Sequence, residues 1–208
     1  MNKSHWYDGW FYDRWIAPNQ DELFRRIGDL MRPRSTVVDV GCGTGRLPFL
    51  LSRFSSEVVG IDLSLKNIRR AQQNLSRRPH PGVSFEHKTV RDLLADRESR
   101  FNYAVLTYVL HEVTESERVS LLHDVARLAE EVIVGDFAVP GAPGWRSLLD
   151  EAVEFAAGRE HYMNYRSFVA GGGIQGLVAR TSLNVVEEIR DATRTSHLVI
   201  LRQTEARR

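Results

Sequence analysis

A single cysteine, Cys42, in a chain of 208 residues excludes an intramolecular disulfide and fits a reducing compartment. Long apolar runs are missing too, since none approaches the ~20 residues that a membrane-crossing helix needs. The opening residues, Met-Asn-Lys-Ser-His-Trp, lack the apolar stretch of a secretory signal. The expectation is a cytoplasmic protein without integral membrane association. An excess of either charge is also absent: 28 basic residues face 27 acidic ones, so no global field advertises nucleic acid. The arginine pairs at 25–26, 69–70, 77–78 and 207–208 read as solvated surface. No internal repeat and no low-complexity linker divides the chain, and its length suits one domain with one sizeable core, residues 1–208.

What is present is a buried-strand pattern that runs into a glycine turn: Val37-Val38-Asp39-Val40-Gly41-Cys42-Gly43-Thr44-Gly45. A second apolar run, Val58 to Ile61, ends at Asp62, about seventeen residues beyond the turn. A strand, a turn bare of side chains, a helix start and an acid at the end of the next strand make a nucleoside cradle. Glycines at 41, 43 and 45 let backbone N–H groups approach a ligand and tolerate positive φ. Asp62 is placed to accept both hydrogens of a ribose diol. The spacing is G-x-G-x-G and not the dinucleotide G-x-G-x-x-G, and Asp39 puts a negative charge at the turn's mouth. That charge suits a cation better than a pyrophosphate.

The rest of the chain alternates. Helices are expected at 19–31 (with Asn19 as N-cap), 46–53, 64–75, 115–128 and 174–180. Strands are expected at 37–40, 58–62, 83–88, 101–108, 132–135, 185–191 and 197–202. This predicts an α/β fold: a doubly wound, mostly parallel seven-stranded sheet whose last strand is antiparallel, because the final pair is joined too briefly for a crossover helix. Two segments fall outside the alternation and are expected to act as lids. One is the N-terminal arm and helix, residues 1–33, rich in Trp and Tyr; the other is the insertion at 138–173.

Val37 to Leu50 resembles motif I of the class I S-adenosylmethionine-dependent methyltransferases, and the likeness extends from about residue 20 to residue 202. The motif set is most similar to the broad group that includes quinone-biosynthesis and other small-molecule methyltransferases. The resemblance implies S-adenosylmethionine as cofactor, with S-adenosylhomocysteine as product, and direct SN2 transfer to a small-molecule acceptor. Asp39, Gly41, Cys42, Gly43, Gly45, Asp62 and Leu63 would form the cradle. Thr89 stands where the family has the adenine-binding Asp, and with the Val90 N–H is favoured over Asp92 for that contact. Asn102 replaces the family's Asp in Phe101-Asn102, at a strand start far from the ligand. Thr107 and Tyr108, at that strand's other end, would face the sulfonium and the methionine chain.

His111 lies just beyond and is a candidate general base, since an imidazole titrates near neutrality; capping the next helix or bonding a loop carbonyl is the structural alternative. His161, in the second lid, is the other candidate base. Tyr162 and Tyr165 beside it, and Tyr7, Phe11 and Tyr12 in the arm, would wall off the acceptor. The arm read as a helix docked on the sheet edge, or as a membrane-surface segment, remains open. Metal ligands are not expected, because the seven histidines are scattered and His111-Glu112 alone does not place two ligands on one face. Cys42 reads as an apolar filler. A non-catalytic S-adenosylmethionine-binding module, regulatory or partner-binding, is the alternative of a different class. The assembly expected is a monomer or homodimer, with no nucleic acid bound.

Overall fold

The computed structural model describes residues 17–141, 151, 154–155, 158–190 and 195–204. The elements run α1 (Ala17–Leu30), β1 (Thr36–Val40), α2 (Arg46–Leu51), β2 (Glu57–Ile61), α3 (Leu65–Arg77), β3 (Val83–Glu86), α4 (Val90–Asp96), β4 (Phe101–Thr107), α5 (Glu115–Leu128), β5 (Ala129–Phe137), α6 (Arg159–Ala170), α7 (Gly173–Val178), β6 (Leu183–Arg190) and β7 (Ser196–Gln203). The strands form one seven-stranded sheet in the order β3-β2-β1-β4-β5-β7-β6. All neighbouring pairs are parallel up to β5, and β7 runs antiparallel to both β5 and β6. The reversed strand is therefore the last in sequence and the second from the edge, as the short β6–β7 connection requires.

Strand period decides how the core is split. Val38, Val40, Ala104 and Leu106 point to one face of the sheet, against Leu122 and Val125 of α5, Phe168 of α6 and Ile174 of α7. Val37, Val58, Tyr103 and Val105 point to the other, against Leu23, Phe24 and Ile27 of α1, Leu47 and Leu51 of α2, and Ile68 of α3. Both faces are covered, which is why β1 and β4 read as continuous apolar runs and not as alternating ones. The helical half of the expected N-terminal lid is thus built into the core through Leu23, Phe24, Ile27 and Met31. Tyr7, Phe11 and Tyr12 of the arm lie outside the described residues. No helix among the described residues is long and apolar enough to cross a membrane.

Three elements differ from the sequence reading. β5 begins at Ala129, directly where α5 ends, and runs to Phe137. Glu130 and Glu131 disguise its start; Glu130 accepts from Arg32 (2.9 Å) and Asn102 (3.3 Å) at the rim of the sheet. The amide of Asn102 also accepts the Thr36 N–H at 2.9 Å, so an Asn, able to donate and accept together, stitches β1, β4 and β5 at their amino ends. α4 had been given no element; Thr89 starts it through a capping box with Asp92. α6 emerges inside the expected 138–173 insertion.

Arg118 of α5 holds the carboxyl-end loops against this frame. Its side chain is only 1% exposed. Nε donates to the Leu110 and Val113 carbonyls at 3.0 and 2.9 Å, and Nη2 to Asn164 O and Ser167 Oγ of α6 at 2.5 and 2.8 Å. The planar guanidinium is the one side chain that can serve so many acceptors at fixed angles. Replacing Arg118 by Leu should cost about 3 kcal/mol of unfolding free energy, because the Leu110 and Val113 carbonyls lose their donor and the tie to α6 is cut. Urea unfolding of the variant checks this; a loss under about 0.5 kcal/mol, the range of ordinary surface changes, would refute it.

Candidate functional site

β1 and β4 are neighbours, yet the chain leaves β1 for β2 on one side and reaches β4 on the other. The carboxyl ends of β1 and β4 therefore open a crevice at a topological switch point, the usual seat of a ligand in such sheets. The glycine turn lies there. Gly41, Gly43 and Gly45 all have positive φ (77°, 54° and 90°), which side-chain-bearing residues adopt at a cost. Their surroundings differ. A Cβ on Gly41 would fall 2.6 Å from Val109 Cγ2, and one on Gly45 2.5 Å from the ring of Phe85, whereas one on Gly43 would meet nothing within 4 Å. The turn is tight against protein at two positions and open to a ligand at the third.

Asp62 closes the turn from β2. Its Oδ2 accepts the Gly43 N–H at 2.8 Å and its Oδ1 the Ser64 N–H at 2.7 Å, with Asn67 Nδ2 at 3.5 Å. The carboxylate is half-buried and fixed in orientation, and each oxygen keeps lone-pair capacity for a hydroxyl. Ser64 caps α3, accepting the Asn67 N–H at 3.3 Å. Leu63 between them is 72% exposed, a bare apolar surface at the crevice edge.

Asp39 sits at the end of β1, 1% exposed, with Oδ1 making no hydrogen bond. Burial, and then the nearby negative Asp62, push its carboxyl from 3.8 up to about 8. A buried acid lacking a donor holds a proton unless a cation arrives. The Cys42 thiol is raised in the same way by burial, then by Asp39, and is an inert filler beneath the turn.

Thr89 and Val90 lie beyond β3. The Thr89 hydroxyl is engaged with Asp92, 2.7 Å from its Oδ2, so the two rivals for the adenine contact form one unit. Thr107 ends β4, half-buried. Tyr108 follows with φ 56°, held by its N–H to Gly135 O at 2.8 Å. A left-handed tyrosine is uncommon, and such strain gathers at sites where a side chain must be presented against local preference.

The loop after Tyr108 brings His111 to a position 2% exposed. Its Nδ1 lies 2.7 Å from Asp136 Oδ1, so the imidazole neither caps α5, which starts from Thr114, nor bonds a carbonyl. Burial alone would push the ring's pKa down; the Asp136 charge and hydrogen bond, with Glu154 behind, raise it to about 9. On its far side His111 Nε2 is 3.8 Å from Glu154 Oε1, and His161 Nε2 of α6 is 2.5 Å from Glu154 Oε2. The two candidate bases, fifty residues apart in sequence, thus share one buried carboxylate. The rings of Phe137 and Tyr165 pack at 4.8 and 6.4 Å from that of His111. Tyr162 turns away, donating to Glu151 at 2.8 Å.

Asp136 and Glu154 escaped the sequence reading. For Asp136 a signal existed: Val132-Ile133-Val134-Gly135-Asp136-Phe137 places an acid at the carboxyl end of an apolar strand, as Asp39 and Asp62 are placed. Glu154 carried none, since nothing local distinguishes it from a solvated glutamate. Two of the seven histidines that look scattered along the chain, His111 and His161, are brought together here by the loop after β4 and by α6.

Comparison with known proteins fits this geometry. A family profile described as a methyltransferase domain matches residues 37–131. Over 83 residues the chain is 31% identical to the ubiquinone biosynthesis O-methyltransferase of Albidiferax ferrireducens, covering 40% of this chain and 33% of that protein. It is 32% identical over 83 residues to the mitochondrial enzyme of that name from Bos taurus, covering 39% and 22%. The chain spans about a third or less of the length of these curated relatives. The magnesium protoporphyrin IX methyltransferase of Synechocystis PCC 6803 with bound SAH superposes with a TM-score of 0.62 at 18% identity, covering 91% of this chain and 84% of that one. The mitomycin 7-O-methyltransferase does so with 0.67 at 14%, covering 93% and 56%.

The state of Asp39 has a measurable sign. Its folded pKa lies above its unfolded one, so its contribution to stability is full below pH 3.8 and is lost as pH rises through about 8. Asp39→Asn, which cannot ionise, should give a flatter stability–pH curve over that window and gain on the wild type toward its upper end. Denaturant unfolding of both proteins at several pH values checks this; parallel curves would remove the assignment.

Proposed function

We propose that this chain, a class I methyltransferase by its matched domain and its sheet, binds S-adenosylmethionine in the glycine-turn crevice and methylates a small hydroxylated molecule held at the His111 side. The observation that carries the reading is Asp39 Oδ1, buried and without a donor beside a turn that is open at Gly43. A cationic ligand supplies what that atom lacks, and a pyrophosphate would not. Asp62 would receive the ribose hydroxyls, Leu63 and the Val90 N–H would flank the adenine, and Thr107 and Tyr108 would border the methionine chain. The curated relatives, named as O-methyltransferases, support an oxygen acceptor.

When bound, S-adenosylmethionine supplies a methyl group already activated on a sulfonium. The chain's own work is then alignment, exclusion of water and removal of a proton. Gly41 packs against Val109, two residues before His111, so the cradle and the acceptor side share one loop. The Tyr108, Phe137 and Tyr165 rings enclose that side. Glu154 and His161 take the hydroxyl proton, while Asp136 fixes the tilt of His111, whose charged ring below about pH 9 points Nε2–H toward that side. The acceptor oxygen, with its proton removed, would then be held in line with the methyl group.

Calorimetry with S-adenosylhomocysteine tests the cradle: Asp62→Ala should weaken binding by about tenfold or more, the effect of losing a charge-assisted hydrogen bond. Unchanged affinity would remove Asp62 from the cradle. With phenol and quinol acceptors and S-adenosylhomocysteine release as readout, His111→Ala should slow turnover by roughly 100-fold or more while leaving cofactor affinity in place. Retained turnover would exclude the cluster from the chemistry.

A further inference from the structure

We propose that His111, Glu154 and His161 form a binding site for one divalent transition-metal ion of the zinc class. One donor atom from each residue lies within 4.8 Å of the other two. Donors bound to a tetrahedral ion at about 2.0–2.2 Å stand roughly 3.3 Å apart; His111 Nε2 is 3.8 Å from Glu154 Oε1 and His161 Nε2 2.5 Å from Glu154 Oε2, so gathering one atom of each residue, now within 4.8 Å, needs shifts of roughly 1–1.5 Å. Three independent features fit an ion. Asp136 holds His111 through Nδ1 at 2.7 Å, which leaves Nε2 as the free donor in the carboxylate–histidine arrangement found behind metal ligands. Glu154 is 6% exposed, and its Oε2 makes no hydrogen bond despite its nearness to His161, because the directions are wrong for one. A bound ion satisfies that oxygen without the angular demand of a hydrogen bond. Third, Phe137, Tyr165 and Phe168 pack around the His111 ring at centroid distances of 4.8, 6.4 and 6.4 Å, and limit water around the donors.

Two imidazole nitrogens and one carboxylate oxygen favour zinc, cobalt or nickel over magnesium or calcium, which prefer all-oxygen shells. Three protein ligands leave the fourth position of a tetrahedral ion for an oxygen from outside. This last step rests on the methyl-transfer reading and takes the place of direct proton transfer to these side chains: the ion would hold the acceptor hydroxyl and lower its pKa, and the proton would pass to water. Because Glu154 and the α6 residue His161 come from one part of the chain and His111 from the loop after β4, the same ion would tie α6 to that loop.

The test uses the whole chain, stripped with a chelator and titrated with Zn²⁺ by equilibrium dialysis and with Co²⁺ by visible absorption. One ion per chain, tetrahedral cobalt bands and a higher unfolding temperature on zinc addition are expected. Glu154→Gln and His161→Ala should each weaken zinc binding tenfold or more while S-adenosylhomocysteine affinity stays within about twofold, which shows the variants folded. No stoichiometric binding, or binding that both substitutions leave unaltered, overturns the site. Zinc bound by these residues in a protein that methylates no acceptor would uphold the site and remove the activity; turnover with no ion bound would do the reverse.

Discussion

The Asp136 carboxylate is the point on which the loop after β4 depends. It is wholly buried near the end of β5. Oδ2 accepts the backbone N–H groups of Leu110 and His111 at 3.0 and 3.4 Å, and Oδ1 takes His111 Nδ1 at 2.7 Å and the Phe137 N–H at 2.8 Å. Its charge is met by aligned backbone dipoles and one imidazole. That arrangement is directional, and it determines where the loop after β4 turns and which nitrogen of His111 looks outward. The reversed β7 completes the enclosure, pairing His197 opposite Asp136.

Three acids stand at the carboxyl ends of three strands, and each is treated differently. Asp39 has an oxygen without a donor and retains its proton. Asp62 is fixed in orientation by the Gly43 and Ser64 N–H groups, one on each oxygen. Asp136 is saturated by a loop and a ring. The sheet thus carries an acid with an oxygen lacking a donor, an acid fixed by the turn and an acid holding a histidine, all along one edge. Chemical division of labour follows from donor supply, with the residue type held constant.

The strand–turn–acid unit was readable because it is local. Strand, turn and acid lie within Val37 to Asp62, and glycine spacing constrains backbone shape directly. The sheet was readable for a similar reason: strands buried on both faces show as apolar runs, and a short final connection dictates the reversed β7. α5 was placed at its observed bounds. The start of β5 was hidden because Glu130 and Glu131 satisfy partners across the sheet rim, a tertiary matter. α4 was missed because seven residues give too short a period, although the Thr89–Asp92 pair marks its start. The His111–Glu154–His161 cluster was illegible for a deeper reason. Its members come from separate elements, and no spacing in the sequence encodes their meeting; the histidines were judged scattered because only neighbours along the chain were visible.

Phe85 has one further consequence. Its ring fills the volume that side chains at Gly45 and Gly60 would otherwise claim, with hypothetical Cβ atoms 2.5 and 2.7 Å from it. Three positions from β2, β3 and the turn therefore hold a single space in common. Divergence at any one of them is conditional on the other two: a smaller residue at 85 must come before any side chain at 60 is tolerated, and the positive φ at 45 keeps that position closed even then.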